Sequence, residues 1–176
     1  VINSQVKNLT AFLDSYHRLT HLPEPEYKTV SVPALFTKLE RLLQAEPRSE
    51  RVVYCDGKVD RSTGKELQVY GDANLLTLAL INLIRNALRA IEGQEDGIVR
   101  VDTCAGATGH LLITITDNGP GIPPERLSAI FTPFFSTKSG GSGIGLPISQ
   151  RIMQLHGGQL SVSSIPNVRT EFRMEF

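Results

Sequence analysis

Two glycine clusters with an acid before the first are the stretches of this sequence best suited to chemistry. Asp117-Asn-Gly-Pro-Gly-Ile follows an alternating run, Leu111 to Thr116, that reads as a half-buried strand, so a strand end delivers the Asp117 carboxylate. A carboxylate fixed there can accept a hydrogen bond from an exocyclic amine, while Gly119 and Gly121 let the backbone approach a flat ring. That combination describes an adenine pocket. Further on, Gly141-Ser-Gly-Ile-Gly-Leu runs into Pro147, a residue suited to the first turn of a helix. Gly141, Gly143 and Gly145 leave backbone N–H groups unobstructed at that helix N-terminus, where unpaired donors and the helix dipole favour negative charge. That describes a phosphate cradle. Either cluster alone serves equally well as a turn. The ordered pair, with a strand before it and a helix behind it, is far more specific.

A third group lies upstream, on a helix predicted over about Ala73 to Glu92 with Asp72 as its N-cap and Leu76, Leu80, Leu83, Ala87 and Ala90 as its core stripe. Asn82, Asn86 and Arg89 stand at i, i+4 and i+7 and share one face. A buried amide left unpaired costs about 1–3 kcal/mol, so both asparagines need partners, either neighbouring backbone or a ligand. Between the glycine clusters, Pro123 to Ser139 forms a loop with Leu127, Ile130, Phe131, Phe134 and Phe135 as apolar surface. These side chains suit a lid that docks when a ligand is present, and equally suit a permanent core. Lys138, at the far end, is either a phosphate contact or a solvated loop lysine.

Asp117-Asn-Gly-Pro-Gly, Phe131-Thr-Pro-Phe-Phe135 and Gly141-Ser-Gly-Ile-Gly-Leu146 resemble the first glycine box, phenylalanine box and second glycine box of sensor histidine kinases. Asn82-Leu-Ile-Arg-Asn86-Ala-Leu-Arg89 resembles their asparagine box. These kinases share an ATP-binding superfamily with type II topoisomerases, a heat-shock chaperone and mismatch-repair ATPases. The resemblance implies ATP as donor, ADP as product and Mg2+ held by Asn86, a mode that suits a hard cation with few protein ligands. It implies nucleotide contacts from Asn82, Asn86, Arg89, Asp117, Gly119, Gly121, Ile122, Lys138, Gly141, Ser142, Gly143, Ile144, Gly145, Leu146 and Thr170. Asn86, Arg89 and Lys138 would serve the transfer itself, with Arg85 a weaker phosphate candidate. ATP-hydrolysing members carry a glutamate base where this chain has Asn82, which cannot take up a proton. That fits a phosphotransferase that shields its nucleotide from water. One departure is Asn167-Val-Arg-Thr170, where the family has a Gly-x-Gly-Thr turn.

The elements that must position these groups follow from the rest of the chain. Its 176 residues suit one full domain and a short appendage. Eighteen basic and eighteen acidic residues give no electrostatic reason to expect nucleic acid or an anionic membrane as partner. Ile2, Val6, Leu9, Leu13 and Tyr16 form a heptad stripe, for a partner helix or for the domain's own core. By resemblance, residues 1–22 are the end of a dimerisation and phosphotransfer helix, 23–28 the linker, where Pro23 and Pro25 stop the helix, and 29–176 the ATP-binding domain. None of His17, His21, His110 and His156 is followed by an acidic residue as the family's phosphoacceptor is, so this chain is read as truncated or as lacking the acceptor altogether, with the acceptor expected on a hairpin absent from it. A response regulator receiver domain and homodimerisation of the full-length protein are the implied partners.

Thr29 to Val32 and Val52 to Cys55 read as strands, with a helix between them whose apolar positions are Leu35, Leu39, Leu42 and Leu43. Val52 to Cys55 and Leu67 to Tyr70 read as the arms of a hairpin, and Cys55 and Cys104 as buried thiols in a reducing compartment. The closing helix has Ile148, Ile152 and Leu155 as its core stripe and ends at Gly157-Gly158. The expected fold is a two-layer α/β sandwich, a mixed sheet of about five strands with three helices on one face, preceded by the N-terminal helix. No apolar run reaches membrane-spanning length, and the expected location is cytoplasmic, alone or as part of a membrane-bound sensor. A conformational ATPase and a non-catalytic nucleotide-binding docking module remain the alternatives to the kinase.

Overall fold

The computed structural model describes residues 21–55, 64–105, 110–136 and 141–176. In chain order its elements are β1 (Lys28–Ser31), α1 (Val32–Leu43), β2 (Val52–Cys55), β3 (Gln68–Gly71), α2 (Ala73–Ala90), β4 (Val99–Ala105), β5 (Leu111–Asp117), α3 (Pro124–Leu127), α4 (Gly145–Leu155), β6 (Gln159–Ile165) and β7 (Arg169–Glu175). Residues 1–20 of the expected N-terminal helix lie outside the described residues.

Alternation along the strands makes the sheet one-sided. Ile113 pairs with Met174 and Ile115 with Phe172, and all four are buried. The residues between them, Thr114 opposite Arg173 and Thr116 opposite Glu171, belong to the other face. The five strands are ordered β2-β4-β5-β7-β6, with β2 parallel to β4 and the other pairs antiparallel. A separate two-stranded sheet joins β1 to β3. The apolar face is covered by the three longer helices, so the layers number two, as expected.

Two of the longer helices, α1 and α2, start where the sequence provides a side-chain partner for the unpaired N–H groups. Ser31 Oγ accepts from Ala34 N at 3.1 Å to open α1, with a proline at the second position. Asp72 Oδ1 accepts from Asn74 N at 2.8 Å and Leu75 N at 3.0 Å to open α2. The central helix then buries Leu76, Leu80, Leu83 and Ile84 completely. Truncating any one of these leucines to alanine is worth about 2–5 kcal/mol, the sum of lost transfer energy and the cavity left behind. At the end of α4, Gly157 has a positive φ of 69° and Gly158 N returns to Met153 O at 2.9 Å, a glycine stop as expected.

Three sequence expectations are corrected. Gln68–Gly71 does not form a hairpin with β2, because β2 joins β4 in the main sheet while β3 pairs with β1. Val32 opens α1 rather than closing β1, and the buried stripe of α1 is Val32, Leu35, Phe36, Leu39 and Leu43, leaving Leu42 half exposed. The cysteines are not buried: Cys104 is exposed and Cys55 intermediate. Cys55 stands opposite Asp102 on the outer, uncovered side of the sheet, beside the Arg100 guanidinium at 3.3 Å.

Candidate functional site

A cleft of about 740 Å3 opens between α2, the ends of β5 and β7, and the segment that runs from Pro120 to the start of α4. Almost all the predicted site residues meet there. Asn82, Asn86 and Arg89 line it from α2, Asp117 and Thr170 from the strands, Gly121 and Ile122 from the first glycine cluster, and Gly141 to Leu146 from the second. Gly119 does not line it but stands behind Asp117. Its N–H donates to Asp117 Oδ1 at 3.0 Å, and a Cβ on it would fall 2.7 Å from that oxygen. Lys138 lies outside the described residues.

The Asp117 end is bound on every side. Asp117 is 2% exposed and stands opposite Thr170 across the β5–β7 ladder. Asn118 turns away from the cleft: its Oδ1 accepts from Ile98 N at 2.8 Å and its Nδ2 donates to Asp96 O at 2.9 Å. The loop after α2 is thereby fastened to the strand end that carries Asp117. On the other side, Ser164 Oγ accepts from Ile122 N at 2.8 Å and lies 3.3 Å from Thr170 Oγ1. Asn167, with a positive φ of 58°, donates its N–H to Pro120 O at 2.8 Å. The turn that departs from Gly-x-Gly-Thr thus closes through an asparagine in the left-handed region, which asparagine tolerates better than most residues. Gly121 fits beneath it, where a Cβ would come within 2.8 Å of Ile165 O.

The other end offers donors with fewer ties. Helix α4 begins at Gly145 with no capping side chain, so its first N–H groups face the cleft unpaired by any cap. Gly143, at φ 67°, passes so close to the loop that a Cβ would lie 2.5 Å from Phe134 C. Gly145 is less crowded, and the Asn82 side chain lies 3.7 Å from its Cβ position, an ordinary van der Waals contact. Asn82 Nδ2 reaches Gly145 O at a long 3.4 Å, while Ser149 Oγ donates to the same carbonyl at 2.9 Å. Asn82 therefore takes the backbone alternative and braces α2 against α4. The Asn86 amide and the Arg89 guanidinium have no partner among the described residues and open to the cleft.

Arg85 is diverted, donating from Nε at 2.9 Å and from a terminal nitrogen at 2.5 Å to Glu46 Oε1. Of the lid's apolar residues, Ile130 is buried, Phe131 and Phe135 pack partly buried on the core, and Phe134 is exposed. Sequence reading missed Asn118, Ser164 and Arg126, a lid arginine that also lines the cleft. Only Asn118 carried a local signal, since asparagine in a turn commonly bonds nearby backbone.

A one-sided mixed sheet covered by three helices, with a cleft between its central helix and a glycine-bounded lid, defines a nucleotide-binding sandwich. The chain belongs to the histidine kinase-, DNA gyrase B- and HSP90-like ATPase family, whose model matches residues 71–176. Sensor histidine kinase ZraS of Salmonella typhimurium is 36% identical over 140 residues, which cover 78% of this chain and 28% of that protein. The chain thus spans less than a third of that relative's length. The solved catalytic domain of histidine kinase ThkA, in a nucleotide-free form, is 27% identical with a TM-score of 0.69, covering 86% of this chain and 95% of that one. Histidine kinase ThkA in complex with response regulator protein TrrA shares the fold at a TM-score of 0.74 and 23% identity, covering 99% of this chain and 48% of that one. No helix among the described residues is long and apolar enough to cross a membrane.

Proposed function

We propose that this chain is the ATP-binding catalytic domain of a sensor histidine kinase, carrying the end of a dimerisation helix in residues 1–22 and a linker in 23–28. The observation that carries this reading is that a buried carboxylate, Asp117, and an amide with no partner among the described residues, Asn86, open onto one cleft. Asp117 suits the exocyclic amine of adenine, since its position is fixed by the strand and by Gly119. Thr170 and Ile122 flank it. Asn86 offers one amide oxygen, and among the described residues no group of His, Cys, Asp or Glu could hold a metal. Such a donor set suits Mg2+ sharing its shell with phosphate oxygens and water. Arg89 and the open N-terminus of α4 suit the phosphates.

Bound MgATP supplies the phosphoryl group and the cation that offsets its charge, with ADP as the product. The residues of this chain position and neutralise, as a loose phosphoryl-transfer transition state requires. Asn82 braces α4 and provides no base for water. The acceptor is the neutral imidazole nitrogen of a histidine on the dimerisation hairpin. From there the group passes to a response regulator receiver domain, and the full-length protein acts as a homodimer on the cytoplasmic side.

The test is incubation with labelled ATP, Mg2+ and the histidine-bearing hairpin of the longer protein. Wild type is expected to label the hairpin, and Asn86→Ala and Asp117→Asn to fail. Equal labelling by all three overturns the assigned roles. Steady release of phosphate without labelling supports a conformational ATPase instead, and binding with neither outcome supports a docking module.

A further inference from the structure

The linker before β1 is fastened to the domain where the far ends of the two helices that carry the phosphate end of the cleft meet. Glu26 N donates to Asp72 Oδ2 at 2.8 Å, while Asp72 Oδ1 caps α2. One buried carboxylate thus holds both the linker and the start of α2. Asp72 N in turn donates to His156 Nε2 at 2.9 Å, just past the end of α4. His156 Nδ1 lies 2.7 Å from Ile152 O. A carbonyl can only accept, so Nδ1 carries the proton and Nε2 is the lone-pair side. Tyr27 closes the cluster: its hydroxyl donates to Leu155 O at 2.6 Å, its ring meets His156 edge-on at 5.5 Å and it stacks on Tyr70 at 5.9 Å. Gly71 makes room, since a Cβ there would fall 2.6 Å from the His156 ring.

These contacts lie at the far ends of α2 and α4, and no nucleotide role is assigned to them. Upstream of them, His21, Leu22 and Pro23 line the cleft itself, with Leu22 packed on the core. We infer that Tyr27, Asp72 and His156 form a latch that fixes where the linker leaves the domain, and so sets how an attached hairpin is presented to the phosphate end of the cleft. They are positioning residues for transfer. Hydrogen bonds and ring contacts to a short linker confine its direction, and confinement of this kind is what converts a tethered reactant into an oriented one. The inference rests on the kinase reading.

The distinguishing experiment compares transfer to the hairpin joined through its natural linker with transfer to the same hairpin added as a separate molecule. Tyr27→Ala is expected to lower the linked reaction on the order of ten- to a hundredfold. ATP affinity and the separate-molecule reaction should stay at the wild-type level, and Tyr27→Phe, which keeps the rings but loses the bond to Leu155, should fall between. Equal linked rates for wild type and Tyr27→Ala overturn the latch, as does a parallel fall in both reactions, which marks a stability effect. Wild type labelling neither hairpin overturns the kinase reading instead.

Discussion

The two ends of the cleft are built on different terms. Around Asp117 the backbone is tied from four directions, by the Asn118 side chain to Asp96 and Ile98, by the Gly119 N–H to Asp117 itself, by the Ser164 side chain to Ile122 and by the backbone bond from Asn167 to Pro120. Around Gly145 the ties include the Ser149 bond, a long bond from Asn82 and the bond from Phe134 N to Gly143 O at 3.0 Å, while Asn86 and Arg89 have no partner among the described residues. A base has one shape and a fixed edge of donors and acceptors, so a rigid pocket discriminates at little cost. A triphosphate with its cation changes shape as it reacts, and a site with uncommitted donors can follow it.

The sharpest way to break that contrast is to force both ends with the same small change. Gly121→Ala adds a Cβ within 2.8 Å of Ile165 O at a φ of 73°, so it is expected to cost about 1–3 kcal/mol of stability, read by denaturant unfolding, and to weaken ATP binding. If Gly143→Ala, at a similar φ, loses as much stability, the contrast fails, because the Phe134–Phe135 loop it strikes is expected to shift. Asn118→Ala leaves Ile98 N–H and Asp96 C=O to solvent in place of their partner, a loss of about 0.5–1.5 kcal/mol that should appear in both unfolding and nucleotide affinity. Asp72→Ala removes a cap and is expected to cost about 1 kcal/mol, while Asp72→Asn keeps the cap oxygen but loses the acceptor for Glu26 N–H and the charge. Asn82→Ala is expected to change stability by less than about 1 kcal/mol, given its 3.4 Å bond, while slowing hairpin labelling.

Acid offers a further probe of the latch. Burial alone would raise the Asp72 carboxyl, but the N–H groups of Leu75, Glu26 and Asn74 hold it below the ordinary carboxylate value. A folded-state value below the unfolded one stabilises the fold at neutral pH, and that stability is lost as pH falls through the carboxylate range. Wild type is therefore expected to lose more stability than Asp72→Asn between neutral pH and the folded carboxyl's titration. Coincident pH profiles would remove Asp72 from the account.

Much of the site could be read from the chain because its groups are local. A strand that ends in a carboxylate, two glycine clusters and an i, i+4, i+7 face each lie within a few residues, so spacing alone places them. What joins them was not legible. Asn118 meets Ile98, Ser164 meets Ile122 and Asp72 meets His156 across 20, 42 and 84 residues. Pairing of β2 failed for the same reason. Two short apolar runs near each other suit a hairpin, but β2 finds a better partner in β4, where Val99 and Val101 continue the core. The cysteines misled because apolar type was weighed above alternation. With Val52 and Tyr54 facing in, the period of two had already sent Val53 and Cys55 outward.

Strand β7 is inserted between β5 and β6, although it follows both in the chain. Phe172 and Thr170 on it form part of the cleft wall, opposite the acid at the end of β5. A nascent chain on the ribosome therefore has no nucleotide pocket until residues 169–175 have emerged and slotted home. Until that moment β5 and β6 each present a bare edge, and a chaperone is best placed to act in that interval.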